Sequence, residues 1–326
     1  MHADRRRLLT GALALGAAAA TPPVRAQSRY PARPVRVIVT YAPGGQTDVA
    51  ARVICAKVSE QLGGQFYVEN IVGGAGNLGM GQAARAAPDG YTMLAAFSSF
   101  VINPALFTRI PYDPVNDFDP VSLAVTSTVV LVVNNDVPAS TVGELVALLR
   151  ANPGKYSYAS AGIGTSGHLA GEQFRLAVAP DLVHVPFGGG APAMTAVVAG
   201  HTPIGIGAPT VATALINDGK LRALAVTSKV RTATLPDVPT LAECGYPDIE
   251  GDSFVGFVVP AGTPKDVVAL LNREIVRSLA SPEMKKQQAA LGNDIVASTP
   301  EEFAQRIRAE LALWAKVIKA ANIHAG

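Results

Sequence analysis

An α/β fold of two domains, each a parallel-rich sheet with helices on both faces, is what this 326-residue sequence predicts. Three observations predict it. Short β-branched runs alternate with stretches whose apolar residues recur at helical spacing. The alternation restarts beyond a turn-rich passage, Pro111–Val121. Gly-rich turns stand again and again between a strand and the helix that follows it.

The N-terminus is set aside first. Arg5-Arg6-Arg7-Leu8-Leu9, an Ala-rich apolar run through Ala20 and Val24-Arg25-Ala26 have the form of an export signal cleaved after Ala26. Arg5-Arg6 followed by leucines resembles a twin-arginine signal. The apolar run is well short of the ~20 residues a spanning helix needs. Without residues 1–26, which hold four arginines and Asp4, the formal charge moves from +2 to −1. Neither a nucleic-acid footprint nor a polybasic membrane patch is expected. The remaining length suits two domains of ordinary size.

Val35–Val39 reads as the first strand. Tyr41-Ala42-Pro43-Gly44-Gly45-Gln46-Thr47-Asp48 is a turn, and Val49, Val53, Ile54, Val58 and Leu62 mark a helix. Such a turn points amide N–H groups and the positive end of a helix dipole at one small volume, where a carboxylate is at home. By itself the stretch is equally an ordinary βα connection. Phe66–Asn70 is a second strand, Gly73–Asn77 opens a helix ending near Ala87, and Tyr91–Ala96 is a third strand running to Ser98 and Ser99. These strands form one sheet whose carboxyl edge gathers Tyr41–Asp48, Gly73–Asn77 and Ser98.

The second region repeats the plan. Val129–Val133 is a strand, and Thr141 with Glu144 forms a capping box for a helix through Arg150. Lys155–Ser160 is a strand before the turn Gly162–His168. Leu182–Val185 is a strand before Pro186–Ala191 and a helix through Ala199. Pro203–Gly207 precedes a helix near Val211–Ile216, and Leu221–Thr227 is the last strand of this set. From Phe254–Val259 the chain returns to the first domain. Thr263-Pro264 starts one helix, as cap and first-turn proline. Thr299-Pro300-Glu301-Glu302 caps another, which carries Phe303, Ile307, Leu311, Trp314 and Ile318 as a core face. The expected boundaries are 27–125 plus 254–326 for one domain and 126–253 for the other, hinged on two strands crossing between them near Asp119–Thr126 and Ser253–Phe257.

Other chemistries fit less well. Gly74-x-Gly76-x-x-Gly79 and Gly162-x-Gly164-x-x-Gly167 match the dinucleotide fingerprint, but no acidic residue ends the next strand to hold a ribose. An oxidoreductase on a doubly wound fold is therefore the rival, and no cofactor is expected. There is no G-x-S-x-G elbow, and His168, His184 and His201 have no paired nucleophile by motif. His168 is expected to line the cleft and His184 to be structural. No His/Cys spacing suggests a metal. Cys55 and Cys244 read as two separate thiols, with pairing open in an oxidising compartment.

The chain also resembles a known family. Tyr30–Val39, Ala42–Asp48, Val68–Asn70, Pro88–Thr92, Pro111–Pro114, Asp117–Val121, Tyr158–Ser160, His168–Glu172, His184–Pro186, Gly219–Ser228, Leu235–Thr240 and Pro260–Pro264 match, in order, the Bug family of periplasmic solute-binding proteins. These are the receptors of tripartite tricarboxylate transporters, and the resemblance covers essentially the whole mature chain. It implies a two-domain, type II-like periplasmic binding protein that closes on a small organic acid in an interdomain cleft. The partners would be the membrane components of such a transporter or, in the alternative, a sensor protein; the receptor would be a monomer and not an enzyme. Carried over by position, the ligand-binding set is Tyr41, Gly44, Gly45, Thr47, Ser98, Ser160, Gly164, Thr165, Ser166, Phe187 and Gly207. Family members often carry Phe-Asp where this chain has Ile206-Gly207, Trp-Tyr where it has Ser253-Phe254, and Tyr-Lys in the turn that here reads Pro-Phe-Gly-Gly-Gly. Gly207 removes a carboxylate that could pair with a ligand ammonium, and an unpaired buried ammonium is costly. An amino-acid ligand is thus disfavoured.

Overall fold

The computed structural model describes residues 30–321 and 323, apart from 233 and 250. The expected export signal lies outside the described residues.

Two mixed sheets carry the chain. β1 (Val35–Val39), β2 (Phe66–Asn70), β3 (Thr92–Phe97), β4 (Phe118–Ser127), β10 (Ser253–Pro260) and β11 (Asp294–Ile295) form a six-stranded sheet in the order β11-β4-β10-β3-β1-β2. β5 (Val130–Asn134), β6 (Ser157–Ser160), β7 (Val183–Pro186), β8 (Ile204–Gly207) and β9 (Leu221–Val226) form a five-stranded sheet in the order β7-β6-β8-β5-β9. β2, β1 and β3 pair in parallel, as do β7, β6 and β8. β10 in the first sheet and β5 in the second run against both neighbours.

Alternation along each strand fills two cores per lobe. In the first, Val35, Val37 and Val39 meet α1 (Gln46–Leu62) and α8 (Lys265–Leu279) through Ile54, Val58, Leu271 and Ile275. On the opposite face Ile38, Leu94 and Ala96 meet α2 (Asn77–Ala84), α3 (Ser99–Leu106) and α10 (Pro300–Ala321). In the second lobe Leu131, Val133 and Ile206 meet α4 (Val142–Ala151) and α5 (Ser166–Val178), whereas Val130 and Val132 meet α6 (Gly190–Val198) and α7 (Pro209–Asn217). The remaining helix, α9 (Pro282–Ala290), precedes β11. Cys55 and Cys244 are free thiols packed against cores of different lobes. Among the described residues no helix is long and apolar enough to cross a membrane.

Three local features bear on the sequence expectations. The strand expected near Asp119–Thr126 forms as β4, ten residues that begin at Phe118 inside the turn-rich passage. Pro120 lies beside a register irregularity in the β4–β10 pairing, where a ladder tolerates proline. α3 follows β3 directly and carries Pro104 in its interior. Thr263 does not cap α8: its hydroxyl donates to the Pro260 carbonyl at 2.7 Å, and Pro264 is the capping residue. The other two caps form. Thr141 Oγ1 accepts from the Glu144 amide, and Thr299 and Glu302 bond reciprocally. Trp314 is buried in the first lobe and donates to Glu310 at 3.1 Å.

Candidate functional site

The carboxyl edges of the two sheets lie where the chain passes between lobes. β4 runs into β5 through Thr128 and Val129, and Thr128 Oγ1 lies 3.2 Å from Thr227 Oγ1 at the end of β9. On one flank the lobes touch: a Cβ on Gly164 would stand 2.9 Å from Leu106 and 3.6 Å from Asn103 Oδ1 on α3. On the other, a Cβ on Gly292 would stand 3.0 Å from Pro209 Cβ at the start of α7.

The first jaw is the β1–α1 turn. Gly44 takes φ +81°, a region glycine enters without steric cost. Its amide is already engaged, donating to Asp48 Oδ2 at 2.9 Å. Asp48 also receives Arg52 Nε at 3.0 Å and Asn70 Nδ2 at 2.9 Å, and Asn70 Nδ2 reaches the Tyr41 carbonyl. Burial pushes the Asp48 carboxyl up, but hydrogen bonds from Arg52, Gly44 and Asn70 outweigh it and hold it below the usual carboxylate range. Gly45 caps α1 with no side-chain bond, and its own amide makes a long 3.4 Å contact to Ala42. Val49 is the first residue of α1 to bond back one turn, to Gly45 at 3.0 Å. The donors this jaw can offer an anion are therefore the amides of Gln46, Thr47 and Asp48 rather than of Gly44. The Thr47 side chain is buried, and the half-buried Tyr41 ring stands edge-on to Phe97 at 5.3 Å.

The second jaw is the β6–α5 turn. Thr165 caps α5: its Oγ1 accepts from the His168 amide at 3.3 Å and donates to the Gly162 carbonyl at 2.8 Å. Gly164 donates its amide to His168 Nδ1 at 3.2 Å. Those two groups shape the turn, and the Ser166 and Gly167 amides remain as first-turn donors. Ser166 Oγ makes a 3.5 Å contact to the Asp252 carbonyl. Ser160 is fully buried, with Oγ 2.7 Å from His184 Nε2. His168 does not line the cleft as a surface group; it is buried beneath the turn. Phe187 donates its amide to the Ser160 carbonyl at 3.0 Å and packs on the second lobe's α6 core.

Two expected residues stand elsewhere in the geometry. Ser98 is buried, and its hydroxyl accepts from the Phe254 amide at 3.2 Å, which ties β3 to β10. At Gly207 a Cβ would meet Met194 Cε at 3.0 Å, so the missing side chain is aimed at α6. Sequence reasoning passed over Asn103. It is fully buried on α3, and its Nδ2 holds the Ala75 carbonyl at 2.9 Å and Asn77 Oδ1 at 2.8 Å. This supports Ala75 at φ +55°. Asn103 Oδ1 and Thr40 Oγ1 are buried on the same edge with no partner among the described residues. The available signal was an Asn set inside the apolar run Phe100–Leu106.

The glycines of the dinucleotide-like pattern have a packing role. A Cβ on Gly79 would meet the Ile71 carbonyl and Thr40 at 3.0 Å, and one on Gly76 would meet Thr40 and Met80 at 3.0 Å. They let α2 close on β1, and a nucleotide is not needed to explain them.

A family model described as tripartite tricarboxylate transporter family receptor matches residues 50–323. Protein BugT of Bordetella pertussis is 35% identical over 299 residues, covering 91% of both chains. Among solved structures, an R. palustris protein with adipate is 31% identical with a TM-score of 0.84, covering 91% of this chain and 100% of that one. MatC from Rhodopseudomonas palustris with bound malate is 30% identical with a TM-score of 0.80, covering 89% and 100%.

Proposed function

The chain belongs to the Bug family of tripartite tricarboxylate transporter receptors, and from that premise we propose that it captures a small organic acid between its lobes for a transporter of that kind. One observation carries the reading. Two helices, α1 and α5, begin at facing sheet edges with first-turn amides that no carbonyl one turn earlier can engage. Arg52, on the helix that follows the first turn, is already paired with Asp48 at 2.9 Å. A carboxylate would thus be held by amide dipoles, hydroxyls and bridging water rather than by an ion pair.

In this reading Gln46, Thr47 and Asp48 offer amides from one lobe, and Ser166 and Gly167 from the other. Ser160 adds a hydroxyl, and Tyr41 and Phe187 wall the apolar part. Gly44, Gly45, Gly164 and Thr165 hold the two turns in shape, Ser98 anchors the floor, and Gly207, whose side-chain position faces α6, stands outside the row of donors. The lobes are residues 27–125 with 254–326 and residues 126–253. They close about the two crossings between the sheets. Residues 1–26 act as an export leader of the twin-arginine type, cleaved after Ala26, and the mature receptor works as a periplasmic monomer. Binding and release involve no covalent step.

Calorimetry tests this. Protein unfolded and refolded to strip retained ligand is titrated with malate, adipate and other di- and tricarboxylates. At least one should bind at a single site and raise the unfolding temperature. A cooperatively folded sample that binds none of them overturns the proposal.

A further inference from the structure

Two histidines stand behind the second jaw, and the receptor reading leaves them unused. Tyr158 and Ser160 project from the same face of β6, and His184 lies opposite Tyr158 across the β6–β7 pair. His184 reaches diagonally to Ser160, Nε2 to Oγ at 2.7 Å. Its ring stacks on Tyr158 at 4.8 Å and on His168 at 4.2 Å between centroids. The Ser160 hydroxyl has two other neighbours, the Gly162 amide at 3.2 Å and the Gly162 carbonyl at 3.3 Å.

The proton count is restrictive. A serine hydroxyl has one proton and two lone pairs. The Gly162 N–H fills one lone pair. If His184 carries its proton on Nε2, it fills the second. The hydroxyl proton then goes to the Gly162 carbonyl at 3.3 Å, a long contact to the oxygen whose other lone pair takes Thr165 Oγ1 at 2.8 Å. If the proton sits on Nδ1, Ser160 donates to His184 and turns a lone pair outward.

The groups around the pair keep it neutral. Burial brings the His168 imidazole down to about 4, with Arg175 adding to it. Burial, then the neighbouring His168, bring His184 down to about 3, although Glu172 works the other way. The Glu172 carboxylate is occupied by the Tyr158 hydroxyl at 2.8 Å and by Arg175 at 2.8 Å. The Nε2–H form is the intrinsically favoured neutral imidazole. It is also the form compatible with a carboxylate guest, because an outward lone pair on Ser160 would face the carboxylate's own lone pairs.

We propose that His184 is a positioning residue: its Nε2–H donates to Ser160 Oγ, which leaves the Ser160 hydroxyl free to donate, to the Gly162 carbonyl or to a carboxylate that takes its place, and unable to accept from a ligand N–H. His184 itself touches no ligand. The inference rests on the carboxylate reading for its purpose, but the tautomer is open to direct measurement.

Long-range proton–nitrogen spectra of nitrogen-15-labelled protein between pH 6 and 8 should show His184 neutral and protonated on Nε2, the signal being assigned with His184→Gln. A proton on Nδ1 overturns the proposal. In calorimetry with the acid that wild type binds best, His184→Phe keeps the ring stack but loses the donor, and should bind about tenfold more weakly. His184→Gln restores an N–H and should recover to within about threefold. Wild-type affinity in His184→Phe, or equal loss in both variants, overturns the proposal and leaves the receptor reading intact. Wild type that binds none of the acids overturns the receptor reading, and the spectra still decide the tautomer.

Discussion

The turn after β1 and the turn after β6 share one local plan, a strand, a Gly-containing turn and a helix N-terminus, but they are backed by different chemistry. The first is organised by charge. Asp48, paired with Arg52, receives the Gly44 amide and Asn70 beside a helix that Gly45 leaves uncapped by any side chain. The second is organised by neutral groups. Thr165 caps α5, His168 takes the Gly164 amide, and His184 takes up Ser160. The first turn is exposed and has room around it, whereas the second is wedged between β8 and the first lobe. One strand–turn–helix pattern can therefore present amides to a ligand while differing in what disturbs it.

The largest difference should appear when each turn is given one methyl group. A Cβ on Gly167 collides with the Ile206 carbonyl of β8, and backbone cannot move aside as a side chain can. Gly167→Ala should cost about 3 kcal/mol or more, measured by denaturant unfolding. Gly44 has nothing within 4 Å of its Cβ position, so Gly44→Ala should cost only about 1 kcal/mol, from its φ of +81°. Equal costs would break the contrast between a wedged jaw and an open one.

Acidification should separate the jaws by pH window. His168 and His184 are depressed from 6.5 to about 4 and about 3, so between pH 6.5 and 4 the unfolded chain takes up protons that the folded chain refuses. The stability they represent is complete above 6.5 and is lost as pH falls, by up to ~1.4 kcal/mol per unit for His168 and by less for the more exposed His184, whose charge water screens. Asp48, lowered from 3.8, acts only further down: its contribution is complete above 3.8 and is lost as pH falls through its folded value. Hydrogen exchange in α5 and β6 should accelerate between pH 6 and 4.5, before the fluorescence of the single tryptophan, Trp314 in the first lobe, reports any change. Simultaneous loss in both lobes would show that they unfold as one unit.

The smallest effects concern the caps. Thr165→Ala removes a side-chain cap and should destabilise by about 1 kcal/mol. Gly45→Ser supplies one to α1, at an extended φ of −75° that serine accepts, and should stabilise by a few tenths. Thermal unfolding reads both. A Thr165→Ala protein as stable as wild type would sharpen the comparison by moving the support of the second turn wholly onto His168.

What the sequence by itself determined is local. Apolar periodicity located the strands from Val35 to Val259 and most of the helices, and Ser/Thr with Glu three residues on located the caps of α4 and α10. These depend on neighbours within one turn or one pleat, so spacing is enough to read them. The two turns were visible for the same reason. The donors left over in each turn were not visible, because that depends on partners brought by the sheets. Asn70 reaches Asp48 from the next strand, Asn103 reaches the Ala75 carbonyl from a helix beyond β3, and His184 meets Ser160 only through the β6–β7 register. β4 was expected as a crossing strand near Asp119–Thr126, but its pairing is decided by β10, which lies beyond the whole second lobe in the chain. A hydrogen bond across such a separation is fixed by which strands lie side by side, and only the folded chain sets that. The stretch from Tyr41 to Asp48 was legible as a strand-to-helix turn with amides to spare; that Gln46 and not Gly44 heads its row of available amides was decided by Asp48 in three dimensions.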